Sequence, residues 1–177
     1  MIGSDVVTAS VLFHVSEDPA IEVFHPRPAP ATAPDAGPIV WAIDEAKLPN
    51  YLLPRDCPRV TFGAGPSTDD EDRVRFGVGT GRIVVIEAGW LERVAICTLH
   101  LYELPAERFT LHDEIAGYWI STASVVPRRV SVISDLPSAI VAHGGEVRVI
   151  HRLWPIHDAV AKSTLAFSMI RTRNAAR

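Results

Sequence analysis

Short apolar runs separated by turn residues set the pattern of this chain. Val11-Leu-Phe-His-Val15 is β-branched and aromatic, is closed by Ser16-Glu-Asp-Pro19, and predicts a strand. Ile39-Val-Trp-Ala-Ile43 predicts a second buried strand, and Asp44 is placed to cap a short helix through Leu48 that Pro49 limits. Between the two strands, residues 25–38 are rich in proline, which cannot supply a ladder of N–H donors, so an extended or turning loop is expected there. The two strands are expected to lie together inside a mainly antiparallel arrangement, because the crossing between them is too long for a tight hairpin.

Beyond the second strand, the segment from Tyr51 to Phe62 passes through an apolar turn punctuated by Pro54 and Pro58 into a third strand at Val60, Thr61 and Phe62. Residues 63–81 hold five glycines and the acidic run Asp69-Asp-Glu-Asp72, and read as a solvated, flexible loop. Arg82 to Glu87 and Ala95 to Glu103 follow as strands; in the second, Cys97, Leu99 and Leu101 share one face, as a period of two requires. Gly117 to Ser121 and Val130 to Ile133 add two more strands. Ser134-Asp-Leu-Pro137 and Gly144-Gly145 then bracket a helix from Leu136 to His143. Glu146 to His151 predicts a strand, and Trp154 to Ile170 spaces Ile156, Val160, Phe167 and Ile170 in a broadly helical pattern. Many short strands with few peripheral helices predict an α+β fold, and 177 residues suit one domain spanning 1–177.

Charge changes this picture only locally. The net charge is −4, yet residues 128–177 carry eight Lys and Arg against three acids, which makes a basic C-terminal region a candidate for contact with nucleic acid. Arginine outnumbers lysine 15 to 2, a skew read as the codon bias of a GC-rich bacterial genome. Two cysteines, Cys57 and Cys97, are too few for a disulfide framework and fit a reducing, cytoplasmic setting. Apolar runs are broken by charge well short of a membrane span, and the first ten residues hold no Lys or Arg to open a signal peptide, so no membrane partner is expected.

Motifs for metal-helix, phosphate-loop, nucleophile-elbow and dinucleotide chemistry do not occur. Gly77-Val-Gly-Thr-Gly81 is a glycine cluster without the spacing that converges N–H groups on a pyrophosphate, and reads as a hairpin or loop. His151, His157 and Asp158 could offer metal ligands but match no template, so no metal is expected. Cys57 lies between Arg55 and Arg59, where positive charge would favour a reactive thiolate; the alternative is a small buried apolar residue.

Leu12-Phe-His-Val-Ser16 resembles the first core strand of the ADP-ribosyltransferase-like superfamily: aliphatic, aromatic, His, any residue, Ser or Thr. More closely, Phe13-His-Val-Ser-Glu-Asp-Pro19, Val40-Trp-Ala-Ile-Asp44, Leu48-Pro-Asn-Tyr-Leu52, Pro54-Arg-Asp-Cys-Pro-Arg59, Leu153-Trp-Pro155 and Ile170-Arg-Thr-Arg-Asn-Ala175 resemble an uncharacterised bacterial domain family, which brings no activity with it. The wider resemblance implies NAD or another ADP-ribose-containing molecule as ligand or substrate, with His14 on the adenosine ribose and Ser16 beside it. Trp41, Tyr51 and Tyr118 become candidates for the ring that stacks on a flat base, and Arg27 or Arg55 for the partner of the diphosphate. The superfamily's catalytic Glu is expected just after Gly117 to Ser121, where this chain has Thr122-Ala-Ser124. Asp113, Glu114 and Glu17 are the nearest substitutes, and Glu17 is the candidate acid because it directly follows the His14 motif.

Three readings stand: an enzyme that transfers or hydrolyses ADP-ribose with His14 and Glu17; a binding module for a nucleotide or nucleic-acid end; and a structural or interaction domain in which His14 is a satisfied core residue. Weak or absent NAD turnover is expected, with any nucleotide binding dependent on His14.

Overall fold

Two sheets share one apolar core. The computed structural model describes residues 11–28, 37–114 and 116–177. In chain order the elements are β1 (Val11–Ser16), β2 (Arg27–Pro28), β3 (Pro38–Ile43), β4 (Arg59–Gly63), α1 (Asp70–Phe76), β5 (Arg82–Glu87), α2 (Leu91–Ile96) and β6 (Leu99–Pro105). They continue with β7 (Thr110–Asp113), β8 (Tyr118–Ser121), β9 (Arg129–Ile133), α3 (Leu136–Ala142), β10 (Gly145–Ile150), α4 (Trp154–Ala161) and β11 (Ala166–Ile170). The larger sheet runs β7-β8-β3-β1-β6-β9, with β2 also pairing β3, and its pairs are antiparallel. The smaller runs β10-β5-β4-β11 and is antiparallel except for the parallel pair β5 and β10.

The expected adjacency of the first two long strands is present: Phe13 stands opposite Ile43 in an antiparallel pair. Ile43, Leu99 and Leu101 from the larger sheet meet Val84 and Ile86 from the smaller, closed by Leu136 and Ile140 of α3. The outer face of the larger sheet carries a second core of Leu12, Val40, Ala42, Tyr102, Leu104 and Trp119, over which Phe24 and Val125 fold. On the outer face of the smaller sheet, Val60, Phe62, Ile83 and Val85 pack against Phe76 of α1 and Val160 of α4.

Three expectations are corrected. Residues 63–81 are not one flexible loop, because α1 occupies their middle: the Asp69 carboxylate accepts from the Asp72 amide at 2.8 Å, and Gly77 ends the helix at φ 61°. The acidic run is a helix start, where carboxylates complement the unpaired amides and the positive end of the dipole. Ala95 to Glu103 is not one strand, since α2 runs through Ile96 and β6 begins only at Leu99. Trp154 to Ile170 is not one helix; after α4 the chain turns at Ser163 and Thr164, and Ala166–Ile170 pairs antiparallel with β4. The Asp72 carboxylate holds that turn by accepting from the Thr164 amide at 2.6 Å and hydroxyl at 2.8 Å. Residues 29–36 of the proline-rich crossing lie outside the described residues; its two ends pair, Arg27 with Ile39 and Pro28 with Pro38.

One glycine of the cluster, Gly81, is required by packing. A Cβ on Gly81 would stand 2.2 Å from the Gly144 carbonyl oxygen, so the backbone approach at the start of the β5 and β10 pair admits no side chain there.

Candidate functional site

The ladder between β1 and β3 contains the single pair Phe13 and Ile43, and beyond it the strands are held differently. The His14 ring takes the Trp41 carbonyl, with Nδ1 at 3.1 Å. A carbonyl only accepts, so Nδ1 carries the proton and Nε2 presents a lone pair. Burial lowers the His14 pKa below its ordinary value; the carbonyl bond pulls the other way, and the nearby charges of Arg27 and Arg55 reinforce the lowering. The imidazole is therefore neutral at pH 7, and no group among the described residues bonds its Nε2.

The segment leaving β1 folds back over this ring. Ser16 Oγ accepts from the Asp18 amide at 3.1 Å, and Tyr102 Oη donates to the Asp18 carbonyl at 2.7 Å while accepting from the Ile21 amide at 3.2 Å. Phe24 then lies against His14, ring centroids 4.7 Å apart, and meets Tyr102 edge-on at 5.2 Å. Paired backbone bonds between Phe24 and Val125 fasten the segment to the turn after β8. His25 Nδ1 lies 2.9 Å from Ser124 Oγ in that same turn.

Strand alternation divides the expected site residues between two faces. His14 shares its face with Leu12 and, across the pair, with Tyr102. With Phe13 opposite Ile43, Trp41 falls on the face of Phe13 and Val15, and Tyr118, opposite Ile43, falls there too. On that far face Trp41 meets Tyr118 at 5.3 Å and His112 at 5.6 Å, and Tyr51 Oη donates to Tyr118 Oη at 2.7 Å. Burial and the neighbouring phenol push the Tyr51 pKa above its usual value. His14 and the aromatic trio thus line opposite sides of the larger sheet.

Glu17 is engaged elsewhere. One carboxylate oxygen accepts from the Arg55 amide at 2.8 Å and the other is ion-paired with Arg93 of α2, so Glu17 ties the end of β1 to the 54–58 turn and to a helix. Asp113 sits on edge strand β7 and accepts from the Ala116 amide at 2.9 Å; three strand spacings, roughly 14 Å, separate β7 from β1. Ser121 Oγ closes a local turn with the Ala123 amide at 3.3 Å, in the stretch where the superfamily's acid was expected.

Cys57 is buried, and desolvation raises its pKa to about 11, which keeps the thiol protonated and favours the alternative of a small buried apolar residue over a reactive thiolate. His157 Nδ1 lies 2.9 Å from Asp158 Oδ1, and its ring packs on Trp154 at 5.0 Å. The basic C-terminal residues are dispersed: Arg128 pairs with Glu107, Arg129 with Glu103 at 3.6 Å, and Arg148 with Glu146 at 2.7 Å.

Sequence reasoning missed Phe24, Arg93 and His100. His100 stands opposite Ser16 on the His14 face, with Nδ1 buried and unpartnered. Its position in an alternating strand was the available signal; Phe24 and Arg93 gave none, because each acts through a contact distant in sequence.

A family model described as a family of unknown function (DUF6886) matches residues 13–175, and the chain belongs to that family. No curated protein and no solved structure matches the chain.

Proposed function

We propose that this DUF6886 chain is a binding module for a hydroxyl-bearing, phosphate-containing small molecule, an ADP-ribose moiety or related nucleotide, received at His14 without turnover. One observation carries the reading: a neutral imidazole fixed in one tautomer, its Nε2 lone pair unpartnered, within reach of the positive fields of Arg27 and Arg55. A sugar hydroxyl would donate to Nε2, and the arginines would face the phosphates. The ADP-ribosyltransferase-like character of Leu12 to Ser16 supplies the ligand class, and NAD enters as a ligand rather than a substrate. Glu17, spent on Arg55 and Arg93, is not free to stabilise a developing oxocarbenium charge. Thermal-shift titration with ADP-ribose and NAD tests the reading: saturable stabilisation of the parent chain, lost in His14→Ala, is expected. RNA oligonucleotides form the comparison arm for the basic C-terminal residues.

A specific observation also favours the structural reading. His14 supplies a donor to the Trp41 carbonyl beyond the single ladder pair of β1 and β3, and Phe24 covers its ring. If His14→Ala lowers stability while neither ADP-ribose nor NAD shifts the parent melting curve, His14 is a sheet-closing residue and the binding proposal fails.

A further inference from the structure

Two segments singled out in the sequence, Pro54 to Arg59 and Ile170 to Ala175, meet around a buried cation; of their residues only Arg55 enters the reading of the His14 site. Arg59, on β4, is 3% exposed. Its Nε donates to the Asn50 carbonyl at 3.0 Å, and its Nη1 donates to the carbonyls of Pro54 at 3.0 Å and Cys57 at 2.9 Å. These three acceptors satisfy three of the five guanidinium N–H groups and fix its plane. Nη2, with two N–H groups, has no partner among the described residues, and no carboxylate there pairs with Arg59. A buried charge answered only by neutral carbonyls is costly, and the usual remedy is an opposite charge.

The neighbouring ion is instead a second cation. Arg59 stands opposite Ile170 in the β4–β11 ladder, and Arg171 follows at once. Arg171 holds φ 53°, the one positive-φ non-glycine residue among those described, a conformation that costs about 1 kcal/mol or more in a side-chain-bearing residue. Burial draws the Arg59 pKa down to about 10, and the charge of Arg171 adds a smaller repulsion in the same direction, so Arg59 stays charged at pH 7. Asn174 Nδ2 donates to the Asp56 carbonyl at 2.7 Å and fastens the Arg171 segment to the 54–58 turn.

We propose that Arg59 Nη2 and Arg171 form a phosphate-binding site at the junction of β4, the 54–58 turn and the end of β11. A tetrahedral phosphate would take the two free N–H groups of Arg59 and a charge-assisted contact from Arg171, replacing repulsion between two cations by attraction to one dianion. The site belongs to the smaller sheet, apart from His14 on the larger, and does not rest on ligand binding there.

The test is phosphate titration at constant ionic strength, read by thermal shift and by NMR of arginine Nε–H groups in 15N-labelled protein. Inorganic phosphate and glycerol 3-phosphate form two arms that separate a free anion from an ester, with chloride as the control. The parent chain is expected to show a saturable rise in Tm and a shift of the Arg59 Nε–H signal. Arg171→Gln is expected to weaken phosphate at least about tenfold, the loss of one charge-assisted contact. Arg171→Gly relieves the left-handed backbone, so its Tm without phosphate is expected to rise while the phosphate effect falls. A parent response equal to that of chloride, an unmoved Arg59 signal, or an undiminished response in both Arg171 variants would overturn the proposal. Neither variant touches the buried guanidinium, so loss of fold does not obscure the outcome.

Discussion

His14 donates a hydrogen bond to the backbone of Trp41, yet the two side chains stand on opposite faces of the sheet. Contact through the main chain and separation of the rings are both consequences of the same register. The imidazole reaches sideways to the neighbouring strand, while the indole points into the aromatic group with Tyr118 and His112. Removing the ring therefore acts on the sheet as well as on any ligand. His14→Ala is expected to cost roughly 2–3 kcal/mol, from one orphaned carbonyl and the space left beneath Phe24. Urea unfolding measures it, and a cost below about 0.5 kcal/mol would show that the carbonyl bond contributes nothing.

The same group sets a pH dependence. The His14 pKa is lowered in the folded chain, so the unfolded chain binds the proton more readily. Its contribution to stability is fully present above the unfolded value near 6.5 and is lost as pH falls through the lower, folded value. Stability should thus decline below pH 6.5, and the decline should be shallower in His14→Gln, which has no titrating ring. Equal slopes in the two proteins would contradict the assignment.

Glu17→Gln tests the missing acid. Half-exposed ion pairs of the Glu17 and Arg93 kind contribute little, so the expected loss of stability is below about 1 kcal/mol. An NAD-glycohydrolase assay should find no turnover to remove. Robust turnover in the parent chain that vanishes in Glu17→Gln would establish catalysis and overturn the reading of a binding module.

Glu87 is 4% exposed and accepts from the amides of Leu153 at 2.9 Å and Ala176 at 3.0 Å. Glu87→Ala leaves both donors without an acceptor and is expected to cost about 3 kcal/mol. Hydrogen exchange should quicken first at Ala176, with Arg82 to Ile86 protected; uniform quickening would place the role of Glu87 in global stability instead.

Gly81→Ala places a carbon 2.2 Å from the Gly144 oxygen. Because the obstruction is backbone, β5 and β10 must separate, and a loss above about 3 kcal/mol is expected in thermal unfolding. An Ala variant as stable as the parent would refute the close approach.

Much of the architecture was legible because it is local. The helix from Leu136 announced itself through Asp135, which accepts from Ser138, and through the glycine pair that ends it. The α1 helix used the same device at Asp69, but four adjacent acids read as solvated charge and hid the cap. Phe167 and Ile170 fitted a helical spacing by accident, and only pairing with β4, more than a hundred positions earlier, makes their segment a strand. The candidate residues divide between two faces for a related reason. Alternation within each strand is written in the sequence, but the pairing of Phe13 with Ile43, which sends His14 and Trp41 apart, is a tertiary choice.

The pairing of Ala166–Ile170 with Arg59–Gly63 also governs how the chain reaches its native state. During synthesis β4 and β5 emerge early, and β4 waits with one edge bare until β11 follows. Closure of so long a loop is slow relative to local helix and hairpin formation, because its entropy is lost before the new contacts form. The edge of β4 therefore stays unpaired until β11 has formed, and Arg59 at its start meets the Arg171 segment only once that strand is in place.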